Sequence, residues 1–399
     1  MECQRCGNRD PDWFAYDPFH NNDYCRKCIA FGRMNADEPL KSVRYSSRRV
    51  DTSYQLKYPL TPAQQKAVAA IADYRKQGKD VLIYAACGAG KTELVMDSIQ
   101  RALREGKKVG FAISRRQVVL EICDRMAQAF PQITVVAVCE GHTQVVDGDL
   151  IICTMHQLYR YPHTFDLLIM DEIDAFPYRG NTLLETIARH SCKGQRLYLT
   201  ATPDEAMLDE VKQGKLAMVE LFQRPHGYPL VVPRIIHTLP FFQLWYCARF
   251  LLHRKKAQIP VLVFVPTIRD AHRCHRLFQW FVRSYPFTSQ SEDKEKIIAD
   301  FHDKRYDCLF TTTILERGIT IHGVDVAVLH CDHTVFNEAS LIQIIGRVGR
   351  SAAMPTGTGL FLCQRVNRDI KRCVRAIRKM NESLIRESTV KLHETMPNM

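Results

Sequence analysis

No stretch of this 399-residue sequence approaches the run of about 20 apolar residues that a membrane span requires. That argues against a helical membrane protein. The first residues, Met1-Glu2-Cys3-Gln4-Arg5, lack the apolar segment of a secretory signal. The fifteen cysteines are therefore expected to stay reduced, in the cytosol, rather than to form a disulfide framework. Low-complexity tracts are absent, and so is any short period of the solenoid kind. Acidic residues are the minority charge: 43 Asp and Glu stand against 55 Lys and Arg, a net +12. This balance points to a polyanionic partner, either nucleic acid or an anionic membrane face. The length exceeds what one core fills, so two or three domains are expected.

What is present centres on Ala85-Ala86-Cys87-Gly88-Ala89-Gly90-Lys91-Thr92. The apolar run Val81-Leu82-Ile83-Tyr84 precedes it and a helical pattern follows. Strand, Gly-rich turn and helix are the context of a phosphate-binding loop. Gly88 and Gly90 let backbone N–H groups approach phosphate oxygens, and the helix N-terminus adds positive partial charge. Lys91 is expected at the β- and γ-phosphates, with the Thr92 hydroxyl on Mg²⁺. Ala85 replaces the usual first glycine. Upstream, Thr61-Pro62 reads as a helix start. Gln64, ahead of Gln65, is the candidate adenine reader, because an amide both donates and accepts.

Before this loop, Cys3, Cys6, Cys25 and Cys28 form two CxxC pairs with eighteen residues between them. That is the spacing of a four-cysteine zinc site. Arg5, Arg26 and Lys27 are expected to lower the thiol pKa values. So short a segment has little core of its own, so the metal would supply its folding free energy. The basic stretch over residues 41–49 reads as a linker, either solvated or touching DNA.

After the loop, strand and helix patterns alternate, which predicts a mostly parallel sheet with helices on both faces. Arg115 and Arg116 follow the strand over residues 108–113, and Thr154 and Gln157 follow the strand over 150–153. The apolar run over 165–170 ends in Asp171-Glu172-Ile173-Asp174. Asp171 would reach Mg²⁺ through water, and Glu172 would orient and deprotonate the attacking water. Thr200-Ala201-Thr202 follows, with hydroxyls placed to relay a carboxylate's position. Pro225, Gly227, Pro229 and Pro233 mark a domain boundary. A second strand–helix series then runs through a helix expected over 269–285 and the segment Thr311-Thr312-Thr313-Ile314-Leu315-Glu316-Arg317-Gly318. It ends in a helix expected over 341–350, with Arg347 and Arg350 on one face as arginine fingers. An amphipathic basic helix is expected over 364–387, packed on the second domain with its outer face open to DNA or anionic lipid.

Taken in order, these motifs resemble superfamily 2 helicases and translocases, which have two RecA-like domains. Together with the cysteine module, Gly88-Ala89-Gly90-Lys91-Thr92-Glu93 and the Pro-rich hinge, the chain resembles the ComFA family. The resemblance implies an α/β fold with a zinc module and basic linker over 1–50. RecA-like domains would follow over 51–228 and 229–399. It implies a DNA-stimulated ATPase that uses ATP, Mg²⁺ and Zn²⁺ to move on single-stranded DNA during natural competence. By family motif, Gly318 and Gln343 join the nucleotide site. Arg115, Arg116, Thr154, Gln157, Thr267 and Thr311 match strand-contacting positions. The implied partners are a phosphoribosyltransferase-like competence protein of the ComFC type, a membrane DNA-uptake channel and, in some arrangements, further copies of the chain. The implied place is cytoplasmic, or peripheral at the inner face of the cell membrane. The rival readings are a replication-restart or repair helicase like PriA or RecG, and a non-hydrolysing ATP-binding adaptor. Intact Glu172 and Arg350 count against the latter.

Overall fold

The computed structural model describes residues 1–40, 45–175, 177–316 and 321–394, with side chains to residue 384. The cysteine pairs are drawn together by a hairpin, β1 (Phe14–Asp17) and β2 (Asn22–Cys25), which pair antiparallel. After it come α1 (Pro62–Lys76), β3 (Val81–Ala85), α2 (Lys91–Arg104), β4 (Val109–Ile113), α3 (Arg116–Ala129) and β5 (Val135–Val138). They continue as β6 (Leu150–Thr154), β7 (Phe165–Asp171), α4 (Thr182–Ser191), β8 (Cys192–Thr200), α5 (Glu205–Lys212) and β9 (Ala217–Leu221). The strand order is β5-β6-β4-β7-β8-β3-β9, and β5, β6, β4, β7, β8 and β3 pair in parallel. Every residue of β4 and β6 is buried. Unbroken apolar runs of this kind are what a sheet covered on both faces requires. Each fully buried Ile, Leu, Val or Phe contributes about 1.5–3 kcal/mol. Helix α1 begins as its sequence indicates. Thr61 caps it and Pro62 opens it, while the Gln64 side chain reaches back to the Thr61 amide in a capping box.

A second series follows: β10 (Arg234–His237), α6 (Pro240–Lys256), β11 (Val261–Phe264), α7 (Ile268–Phe278), β12 (Ser284–Phe287) and α8 (Lys294–His302). It closes with β13 (Cys308–Thr311), β14 (Asp325–Val328), α9 (Glu338–Ile345), β15 (Gly359–Cys363) and α10 (Arg368–Glu394). Its order is β10-β15-β14-β11-β13-β12, all parallel. By their contacts the residues fall into two units, Met1–Tyr84 with Lys91–Glu220, and Ala85–Gly90 with Leu221–Met399. Both sheets are parallel and RecA-like, as the motif order implies. Among the described residues no helix is long and apolar enough to cross a membrane.

The structure corrects two sequence expectations. The helix expected over 269–285 stops at Phe278, and Ser284–Phe287 forms edge strand β12 beside β13. The apolar spacing continued past the true end, but Trp280 is exposed rather than packed. Pro286 has no N–H for a second neighbour, which suits an edge. The helix expected over 341–350 ends at Ile345, with Gly346 as its cap. Arg347 and Arg350 therefore lie in the turn beyond it, not on one helical face; Gly349 there has φ +67°, a backbone setting that favours glycine. Where it is described, the basic linker is tethered to the first unit, and Ser46, Ser47, Arg48 and Arg49 remain exposed. Arg48 forms a forked pair with Asp149 at 3.0 Å on both nitrogens. Ser46 bonds Asp147, and the Val50 amide donates to the Leu103 carbonyl. Lys41 and Arg44 lie outside the described residues.

Candidate functional site

In a parallel sheet, functional groups collect beyond the carboxyl ends of the strands. In the first unit those ends carry most of the candidate residues. Register pairs Tyr84 with Thr200 and Asp171 with Leu199, so β8 separates the phosphate-loop strand from the acidic strand by one position. Asp171 is buried, which pushes its carboxyl up to about 6 against the pull of the Lys91 ammonium. Glu172 adopts φ 55°, a left-handed setting rare for a non-glycine residue. Its carbonyl accepts from Ser114 Oγ and from the Ala175 amide, and its amide donates to Asp171 Oδ1 at 2.8 Å. Its Oε2 is buried with no hydrogen-bond partner, which leaves an acceptor for a ligand or water.

Asp174 is held from two sides. Thr200 Oγ1 donates to Oδ1 at 2.9 Å and Thr202 Oγ1 to Oδ2 at 2.7 Å. The threonines therefore tie the end of β8 to the acidic turn after β7. Hydrogen bonds to a charged group contribute about 1.5–3 kcal/mol each. Asp174→Ala is accordingly expected to destabilise the first unit by about 3 kcal/mol, read as a lower urea midpoint with an unchanged slope.

Thr92 and Asp171 are buried oxygen donors on this edge, the hard ligands that Mg²⁺ takes. With Glu172 Oε2 open, the residues fit a magnesium–nucleotide. Gln64 is less available than its sequence position suggests, because its Oε1 accepts from the Thr61 amide. Arg115 and Arg116 begin α3 just past β4, and Thr154 ends β6. The pairing of Ile113 with Thr154 brings them to one edge. Arg116 Nε donates to the Glu140 carbonyl at 2.8 Å. Gln157 Oε1 accepts from Arg160.

In the second unit, Thr267 lies just past β11 and Thr311 ends the adjacent strand β13. Neither hydroxyl is idle: Thr267 caps α7 through the Asp270 amide, and the Thr311 hydroxyl donates to the Thr312 carbonyl. Gly318 lies outside the described residues. Gln343 Oε1 accepts from Cys87 Sγ at 3.0 Å, leaving its buried Nε2 without a partner. A Cβ on Gly346 would stand 2.5 Å from the Cβ of Cys87, so only glycine permits this approach. Arg347 is fully buried and Arg350 partly exposed.

Sequence reasoning missed Arg224. It is 1% exposed, in the Pro-rich hinge, and among the described residues it forms no ion pair with a carboxylate. Its guanidinium donates to four backbone carbonyls: Cys87 at 2.9 Å, Val348 and Gly349 at 2.7 Å, and Gly346 at 2.8 Å. Burial lowers its pKa to about 10. It fixes both the phosphate loop and the turn that carries Arg347 and Arg350. A lone arginine just before Pro225 gives no periodic signal, so the sequence offered no means of finding it.

The four module cysteines are buried, with their sulfurs all within 4.8 Å of one another. Cys3 and Cys28 sulfurs stand 3.6 Å apart, and Cys6 and Cys25 sulfurs 3.7 Å. Zinc bonded tetrahedrally at about 2.3 Å would set sulfurs about 3.8 Å apart, so the four fit that ion. Packed together the thiols cannot all ionise unaided. Cys3 falls to about 2, held by hydrogen bonds from Cys28 and then Cys6, while Cys28 is driven up by its bonds to Cys3 and Cys6. The nearby cations do not set these shifts: Arg5 donates to the Gly32 carbonyl and Arg26 to the Asp12 carbonyl.

Comparison with known proteins supplies the remaining observations. Residues 1–42 match the competence protein ComFA N-terminal domain. Residues 57–205 match the type III restriction enzyme res subunit, and 244–352 the helicase conserved C-terminal domain. The competence protein ComFA of Streptococcus pneumoniae is 32% identical, over 95% of this chain and 90% of its own. That of Bacillus subtilis is 31% identical, over 95% and 85%. RecG bound to a three-way DNA junction shares the fold at a TM-score of 0.58 and 19% identity, over 84% of this chain and 49% of RecG.

Proposed function

The chain belongs to the ComFA family of competence proteins, and from that premise we propose that it is an ATP-driven translocase on single-stranded DNA. The observation that carries this reading is the open, buried Glu172 carboxylate beside Asp171, one strand away from the phosphate-loop strand. Bound ATP supplies the anhydride, and Mg²⁺ offsets its charge. Lys91 would hold the β- and γ-phosphates, with Thr92 and Asp171 as metal ligands. Glu172 would orient the attacking water and take its proton, which its strained backbone and fixed carbonyl position it to do. Arg347 and Arg350 would act as arginine fingers and Gln343 as a nucleotide contact. Gln64 would read adenine through what its capping box leaves. Arg115, Arg116, Thr154 and Gln157 would meet the strand from the first unit, and Thr267 and Thr311 from the second.

The same reading gives the zinc module a docking role for a ComFC-type partner. It places the chain at a membrane DNA-uptake channel, peripheral to the inner face of the cell membrane. The test is ATP turnover with and without an oligothymidine. A several-fold rise on adding the strand is expected. Turnover indifferent to DNA would sink the translocase reading, and separation of forked duplex without single-strand stimulation would replace it with a repair helicase.

A further inference from the structure

Along the second unit runs a groove of about 590 Å³ between β10 and α10, away from the strand ends discussed above. Lys371, Arg375 and Arg378 line it from one face of α10, being spaced by four and then three residues. Lys379 lies beside them, and the one carboxylate of the groove, Glu382, closes the row towards the C-terminal end. Buried Val374 and half-buried Ile235 supply an apolar floor. The helix is pinned at this place, because Asn381 exchanges hydrogen bonds with the Leu230 backbone at 2.8 and 2.9 Å.

The four cations are exposed, and none forms an ion pair among the described residues. Some other cations of the unit do have carboxylate partners: Arg254 pairs with Asp325, and Arg283 and Lys255 with Asp307. Unmatched like charges repel one another, so concentrating them in one concavity is costly unless a polyanion fills it. Along the helix axis the first three are separated by about 4.5–6 Å. That makes a regular track of point charges over an apolar floor. Such a track fits a chain that alternates phosphates with sugars and bases.

We propose that this groove is a second nucleic-acid site, which grips the phosphodiester backbone of a single strand. The proposal rests on the reading that the chain binds single-stranded DNA. A bilayer is flat and would meet the rim, not the floor, which is why a strand is favoured over a lipid surface.

The test uses the full chain carrying Lys371→Glu, Arg375→Glu and Arg378→Glu together, titrated with a fluorescein-labelled oligothymidine by anisotropy at several salt concentrations. Affinity is expected to fall at least tenfold. The slope of log K against log salt should shrink by about 2, as three lost phosphate contacts on a single strand require. ATP turnover without DNA should be unchanged. The triple Gln variant, which cannot unfold the helix by repulsion, should weaken binding in the same direction by a smaller factor. If the parent binds the strand and both variants match it in affinity and slope, this inference falls while the translocase reading stands. If the parent does not bind the strand at all, both fall. Loss of binding to phosphatidylglycerol vesicles with strand binding intact would overturn the nucleic-acid assignment in favour of a membrane face.

Discussion

Glu172→Gln is expected to lower ATP turnover by about 10²- to 10⁴-fold, the usual worth of a general base, while nucleotide still binds. The substitution keeps the shape of the side chain and removes its capacity to take a proton. The backbone at residue 172 is held independently of the carboxylate, by Ser114 Oγ and the Ala175 amide on its carbonyl. The turn should therefore survive, and so should the unusual φ of 55°. Lys91→Ala makes the informative contrast, because it removes the cation expected to hold the phosphates and should cost affinity as well as rate. Calorimetric titration with a non-hydrolysable ATP analogue separates the two: near-parental binding for the glutamine variant, weakened binding for the alanine variant. Turnover within a few-fold of the parent in Glu172→Gln would remove this residue from the chemistry and revive the non-hydrolysing adaptor.

Zinc removal should have the largest structural effect. Among the described residues the buried core of the module is Cys3, Cys6, Cys25, Cys28 and Met34, far too little to offset the ordering of some forty residues. Structural zinc sites in small peptides contribute about 10–16 kcal/mol of apparent binding free energy near neutral pH. A strong chelator, or Cys25→Ser, should therefore unfold the module as a unit. The expected readouts are one zinc released per chain by mass spectrometry and rapid proteolysis before residue 40. A chain that contains no zinc as purified and yet resists protease there would dispose of the metal assignment.

Much of this architecture was legible beforehand, for identifiable reasons. The strands β3, β4, β6 and β7 are unbroken apolar runs because they are covered on both faces, and such runs are visible without any partner sequence. Gly88, Lys91, Asp171 and Glu172 stand out in the sequence because phosphate chemistry would constrain type and spacing together. The clustering of the cysteines was legible because two CxxC turns are what tetrahedral ligation would demand. Boundaries set by tertiary contacts were not. Whether the pattern near Trp280 continues a helix depends on the empty edge of β13, and whether Arg347 remains helical depends on the capping Gly346. Arg224 was invisible for the same reason, since its partners are backbone carbonyls, which carry no residue identity. The Thr200–Asp174–Thr202 link lay in between: the hydroxyls were noticed, but their acceptor was fixed only by the β7–β8 register.

The docking of the cysteine module on the first unit bears on how this protein can be handled. Phe31 packs on Tyr159 and His156, with ring centroids 5.2 and 6.2 Å away, and Leu183 leans on the cysteine cluster. Tyr45, at the start of the described linker, packs against Tyr161 at 5.0 Å. A version trimmed to begin after the linker would strip the cover from these rings and present them to water as an adhesive patch. Solubility, rather than catalysis, is then the first property such a trimmed chain should lose.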